Sequence, residues 1–191
     1  MYMAISEMNN GFSQTVTPDT LAPLCGKVAV DAALDLSLLA VTFQTKPLLI
    51  GGLAMEYYGL RSHGSDIDFI VSNEDYLALE QAYPGRKKDV WGDWGINING
   101  FELFRSIWKF DYGFLAQGST EYEQYKVISV EKLFFMKVRA QHTAEKHRQD
   151  VELLLGYYDR FQNPEYRRWM DEHIGQYLAV PDGIIFHDGI K

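Results

Sequence analysis

The chain has 191 residues, of which 47% are hydrophobic, 14% aromatic and 23% charged, enough to bury one sizeable core. Eighteen basic and 26 acidic residues give a formal charge of −8, which argues against a broad, salt-sensitive grip on nucleic acid while leaving room for a local basic pocket. The single cysteine, Cys25, excludes an intrachain disulfide and a multi-cysteine zinc site; with no leader-like start and no apolar run of ~20 residues, a cytoplasmic protein without a membrane span is expected.

Residues 1–17 are polar and irregular, and Asp19 or Thr20 offers a cap for a helix with apolar positions Leu21, Leu24, Val28, Leu34, Leu38 and Val41, broken at Lys46-Pro47. The apolar run 48–50 predicts a buried strand entering a tight turn at Gly51-Gly52, followed by a helix over 53–60 and a strand over 67–71. Ser72, with Glu74 and Asp75 behind it, predicts the start of a helix over 76–83 that Pro84-Gly85 ends. Residues 91–98 alternate, Asn99-Gly100 is the dipeptide of type I′ hairpins, and 101–108 reads as the returning strand. Arg86-Lys87-Lys88, the densest cationic run, reads as a solvated loop, and 111–124 as a polar and aromatic loop. A short strand over 126–128 precedes Ser129, a cap for a helix over 130–141, and two further helices are expected over 145–158 and 164–178. An apolar tail, Ile184-Ile185-Phe186, follows Pro181-Asp182-Gly183. The pattern predicts an α/β (α+β) protein: a helical extension over 1–46, a mixed-sheet core over 47–128, and helices over 129–191 packed on that core as one unit.

The residues that carry chemistry lie between Gly51 and Asp68. Strand side chains alternate faces, so Asp66 and Asp68 point the same way while Ile67 and Phe69 point into the core. Two carboxylates sharing a site repel each other unless a cation sits between them, and hard oxygens suit Mg²⁺, with Mn²⁺ as the alternative. Upstream, Gly51 and Gly52 offer backbone N–H groups without side chains just before a helix, a geometry that receives phosphate oxygens. Metal ligands beside a phosphate cradle describe a nucleoside triphosphate site.

This stretch resembles the nucleotidyltransferase superfamily, which includes DNA polymerase β, the minimal nucleotidyltransferases, the antibiotic adenylyltransferases and the AbiEii-type toxins. Ile50, Gly51, Gly52, Asp66 and Asp68 stand at the positions of its apolar-Gly-Gly/Ser and Asp-x-Asp pattern, at the upper limit of the usual gap. The approach from Arg61 through Ser65 to Asp68 is similar to the family's Arg-x-Thr-x-Asp-x-Asp segment, with Gly64-Ser65 in a slightly longer turn. The resemblance implies a nucleotidyltransferase-like mixed sheet and transfer of a nucleoside monophosphate from a triphosphate to a hydroxyl acceptor. It also implies a third carboxylate that binds the metal and takes the acceptor proton. Glu102 is the candidate, set amid apolar residues where an unpaired charge is costly; Asp93 and Asp111 are the runners-up.

A further likeness to AbiEii-type and related bacterial nucleotidyltransferases covers Ile128 to Ala140 and Lys146 to Asp150. There Lys137, bordering the buried stripe four residues after Leu133, is expected to steady the triphosphate. Arg61 and Ser65 join Gly51 and Gly52 as nucleotide-binding candidates. Arg61 has an ion pair with Asp66 or Glu56 as its plainer role, and Lys146 and Asp150 have a surface pair with each other. His63 suits contact with solvent or phosphate, and Trp91, Trp94 and Trp108 read as packing rather than base-stacking platforms. The acceptor stays open between a small molecule, a tRNA end and a protein. Two other readings stand beside transfer: an inactive nucleotide-binding or toxin–antitoxin protein with an antitoxin partner or a homodimer, and an Asp-x-Asp glycosyltransferase.

Overall fold

The computed structural model describes residues 18–90, 93–108 and 110–178. The first helix, α1 (Pro18–Ala33), starts on a proline, whose missing N–H costs nothing in a first turn. It stops well short of the predicted break at Lys46. Asp35 takes the Ser37 N–H at 3.0 Å and starts a separate 3₁₀ turn over Leu36–Leu38, a local side-chain bond that competes with helix continuation. Val28, expected on the apolar stripe, is 70% exposed.

Strand β1 (Leu48–Leu49) leads directly into α2 (Gly51–Tyr57), so the two glycines are the first helical residues rather than a turn ahead of the helix. Strand β2 (Ile67–Ile70) precedes α3 (Asn73–Ala82), whose cap is the predicted one: the Ser72 hydroxyl accepts the Asp75 N–H at 3.1 Å. Next come β3 (Lys87–Val90), β4 (Asp93–Ile98) and β5 (Phe101–Phe104). Asn99 and Gly100, with φ of 50° and 87°, form the expected hairpin bend between β4 and β5. The returning strand is shorter than predicted, because β6 (Ser106–Ile107) leaves to pair with β7 (Phe110–Asp111) in a small separate sheet.

The span 111–124, read as loop, contains α4 (Tyr112–Leu115) and β8 (Thr120–Glu121). The chain continues through β9 (Lys126–Val127), α5 (Val130–Ala140), α6 (Glu145–Tyr157) and α7 (Pro164–Leu178). Ser129 caps α5 as predicted, accepting the Lys132 N–H at 3.3 Å. The cationic run 86–88 is not a loop: its lysines open β3, an edge strand.

Seven strands form one mixed sheet in the order β3-β4-β5-β2-β1-β9-β8. Strands β2 and β5 run parallel, as do β1 and β9, while the other neighbours are antiparallel. The fold is therefore α+β with helices packed on a mixed sheet. Leu48, Leu49, Phe69, Ile70 and Leu103 from the central strands are fully buried, against Leu53 and Met55 of α2 and Leu133 and Phe134 of α5. No helix among the described residues is long and apolar enough to cross a membrane. The segment before Pro18, Trp91 and the tail from Pro181 lie outside the described residues.

Candidate active site

Three carboxylates meet where β2 and β5 begin. The parallel register sets Asp68 beside Glu102, and Asp66 stands one residue ahead of β2. One oxygen from each of Asp66, Asp68 and Glu102 lies within 4.8 Å of the others. Phe69 is buried in the core as the alternation requires, and Ile67 is half-buried. Asp111 lies elsewhere, capping α4 by accepting the Phe114 N–H at 2.9 Å.

Gly51 explains how Asp68 fits. Its φ is +65°, a region that disfavours any side chain, and a Cβ there would lie 1.9 Å from Asp68 Oδ2. The Asp68 carboxylate thus fills the space a side chain would take at the start of α2, and it accepts the Gly52 N–H. That donor, expected to face a phosphate, is engaged within the chain. Burial first, then the charges of Glu102 and Asp66, push the Asp68 carboxyl up to about 6. Three hard oxygen ligands around an under-compensated negative charge fit a hard divalent cation such as Mg²⁺.

Each neighbouring carboxylate is held in place. Ser65 Oγ donates to Asp66 Oδ1 at 2.7 Å, so Ser65 orients the acid. Glu102 Oε1 accepts Lys88 Nζ at 2.8 Å and Asn97 Nδ2 at 3.1 Å. Both bonds go to the same oxygen, which leaves Oε2 for another ligand. Sequence reasoning missed Lys88 and Asn97 because it placed 86–88 in a loop; the hairpin register that pairs Asn97 with Glu102 was the available signal.

The cations expected at the triphosphate share one buried anion. Arg61 Nε and Nη2 donate to Asp150 Oδ1 and Oδ2 at 2.5 and 3.0 Å, and Lys137 Nζ reaches Asp150 Oδ2 at 2.7 Å. Asp150 is 1% exposed. Arg61 is thus paired with neither Asp66 nor Glu56, and Asp150 forms no surface pair with Lys146. The surface reading fails because Asp150 faces inward from α6 toward α5, where a charge needs partners. Burial works to raise the Asp150 carboxyl, but the bonds from Arg61 and Lys137 outweigh it and hold it below the usual carboxylate range. Burial pulls the Lys137 ammonium down, against the Asp150 bond. His63 contacts protein rather than standing free: its backbone N–H and Nδ1 both meet Glu56 Oε2.

The carboxylates separate two lobes of a cleft. One, of about 310 Å³, runs past Gly51 to an apolar wall of Phe104, Ile107, Trp108, Met136 and Ala140, with Asp93 at its rim. The other, of about 420 Å³, is polar and lined by Gly52, Arg61, Ser65, Gln149 and Asp150. Asp66, Asp68, Lys137, Lys146 and His147 face both. Lys146 is exposed and has no ion-pair partner among the described residues, which makes it the cation most available to a ligand. Burial and the nearby Lys137 and Lys146 push His147 down to about 4, so its ring is neutral at pH 7.

No protein-family model matches the chain, and no curated protein matches it. Among solved structures, the crystal structure of the Megavirus polyadenylate synthase aligns over 83% of this chain at 14% identity and a TM-score of 0.41. The chain spans 40% of that protein's length. Likeness at that level leaves the chemistry of this chain to rest on its own side chains.

Proposed function

We propose that the protein is a metal-dependent nucleotidyltransferase, moving a nucleoside monophosphate from a nucleoside triphosphate to a hydroxyl acceptor. One observation carries the reading: Asp66, Asp68 and Glu102 converge within 4.8 Å between a polar lobe and an apolar one. Asp66, Asp68 and Glu102 would hold a divalent cation, which would supply positive charge to the phosphate oxygens and to the leaving pyrophosphate. The chain's own groups do the rest. Lys146, with Lys137 and Arg61 behind it, holds the β- and γ-phosphates in the polar lobe. Ser65 and the α2 start keep Asp66 and Asp68 aimed at the same point. Glu102 takes the proton of the acceptor hydroxyl as the hydroxyl oxygen bonds the α-phosphorus and the bond from the α-phosphorus to the bridging β-phosphate oxygen breaks, releasing pyrophosphate.

Incubation with Mg²⁺ and each α-labelled triphosphate, with cell extract, RNA or small hydroxylated acceptors added in turn, tests this. Label is expected in one acceptor fraction with the parent chain, and D66A and E102Q are expected to lower its transfer by at least ~100-fold. Binding of triphosphate without label transfer to any fraction would favour an inactive nucleotide-binding protein. Displacement by UDP-sugars in preference to ATP would favour a glycosyltransferase.

A further inference from the structure

Resting on the triphosphate reading, we propose that Trp108 is the platform on which the nucleobase stacks, and that the site therefore takes purine over pyrimidine triphosphates. Trp108 packs against the core as its sequence suggests, and it also lines the cleft. It occupies the bend between β6 and β7 with a φ of +54°, a conformation bulky residues rarely adopt. Asp93 holds it there: both carboxylate oxygens accept the Trp108 N–H, at 2.9 and 3.0 Å. The positive φ is what a two-residue bend between the paired Ile107 and Phe110 requires, and the bend sets Trp108 at the wall of the cleft.

The surroundings suit a flat heteroaromatic ring. The indole contributes to the cleft wall, and the Arg139 guanidinium lies over the ring, 5.2 Å from its centroid. Phe104, Ile107, Met136 and Ala140 complete an apolar surface beside it. Two polar groups near this wall are engaged within the chain: Asp93 with the Trp108 N–H, and the Thr143 hydroxyl donating to the Ala140 carbonyl at 2.7 Å. Stacking strength grows with ring overlap, which favours the larger purines, and Lys146 and His147, whose Nδ1 has no hydrogen-bond partner among the described residues, also face this lobe. The same lobe opens onto Asp66 and Asp68, so a base stacked here carries its phosphates toward the carboxylates and the polar lobe beyond them.

Calorimetric titration of the full chain in Mg²⁺ with ATP, GTP, CTP, UTP and inorganic tripolyphosphate tests the platform. ATP and GTP are each expected to bind more tightly than CTP, UTP or tripolyphosphate. W108A is expected to weaken ATP by about 5- to 150-fold, the worth of one base–aromatic stack, while leaving tripolyphosphate unchanged. W108F, which keeps a ring, should recover most of the loss. Unchanged ATP binding by W108A, or an equal loss of ATP and tripolyphosphate, overturns the platform. A parent chain that binds tripolyphosphate but ATP no better overturns the platform alone; one that binds neither overturns the triphosphate site beneath it.

Discussion

Replacing Asp68 with asparagine isolates the electrostatic strain in the carboxylate cluster. Its carboxyl is pushed from 3.8 up to about 6 by burial and by the charges of Glu102 and Asp66. A folded-state value above the unfolded one means that the native chain holds this proton more tightly than the unfolded chain does. Stability therefore falls as pH climbs from about 3.8 to 6 and stays reduced above that. At 1.36 kcal/mol per unit, the gap corresponds to ~3 kcal/mol at pH 8 and roughly half as much at pH 5. Asparagine keeps the shape and an acceptor for the Gly52 N–H but removes the charge. In urea denaturation with EDTA, D68N is expected to be more stable than the parent by ~3 kcal/mol at pH 8 and roughly 1.5 kcal/mol at pH 5, with no advantage below pH 3.8. Mg²⁺ at pH 8 should narrow the difference, because a bound cation relieves the same repulsion in the parent. A D68N chain no more stable than the parent at pH 8 in EDTA would refute the reasoning.

Two further substitutions probe the elements that hold the site. G51A places a methyl group against Asp68 at a backbone angle suited to glycine, and is expected to cost about 2–4 kcal/mol in chemical denaturation and to abolish stabilisation by Mg²⁺. D150A removes the buried partner of both Arg61 and Lys137, and should lower the unfolding free energy by about 3–5 kcal/mol; a loss under 1 kcal/mol would show that the two cations find other partners.

Features set by neighbours in the chain were readable from the sequence. The Ser72 and Ser129 caps, the Asn99-Gly100 bend and the placing of Asp66 and Asp68 beside a Gly-Gly helix start depend on short spacings and backbone preferences. Glu102 was reachable because an acid amid apolar strand residues asks for a partner. What escaped depends on pairing at a distance. Arg61 and Asp150 are 89 positions apart, and no local pattern distinguishes a buried aspartate on α6 from a solvated one. Likewise β3 begins Lys-Lys-Asp, a composition typical of loops that serves here as a charged sheet edge. Strands of two residues, such as β6 and β8, are too short to leave an alternation at all.

The described sheet ends on β3 and on β8. At one rim Lys87 lies over the Trp94 ring and pairs with Glu80, while Lys88 turns to the opposite face to meet Glu102. At the other, Glu121 is gripped by Lys46 and Lys126. A strand from another molecule docking along either margin would crowd these ammonium and carboxylate groups and strip their hydration, so fibril-like growth by backbone addition is disfavoured at both ends. The pair at the first margin does double service: the lysine that guards it also steadies an acid of the cleft, which ties solubility and site geometry to one side chain.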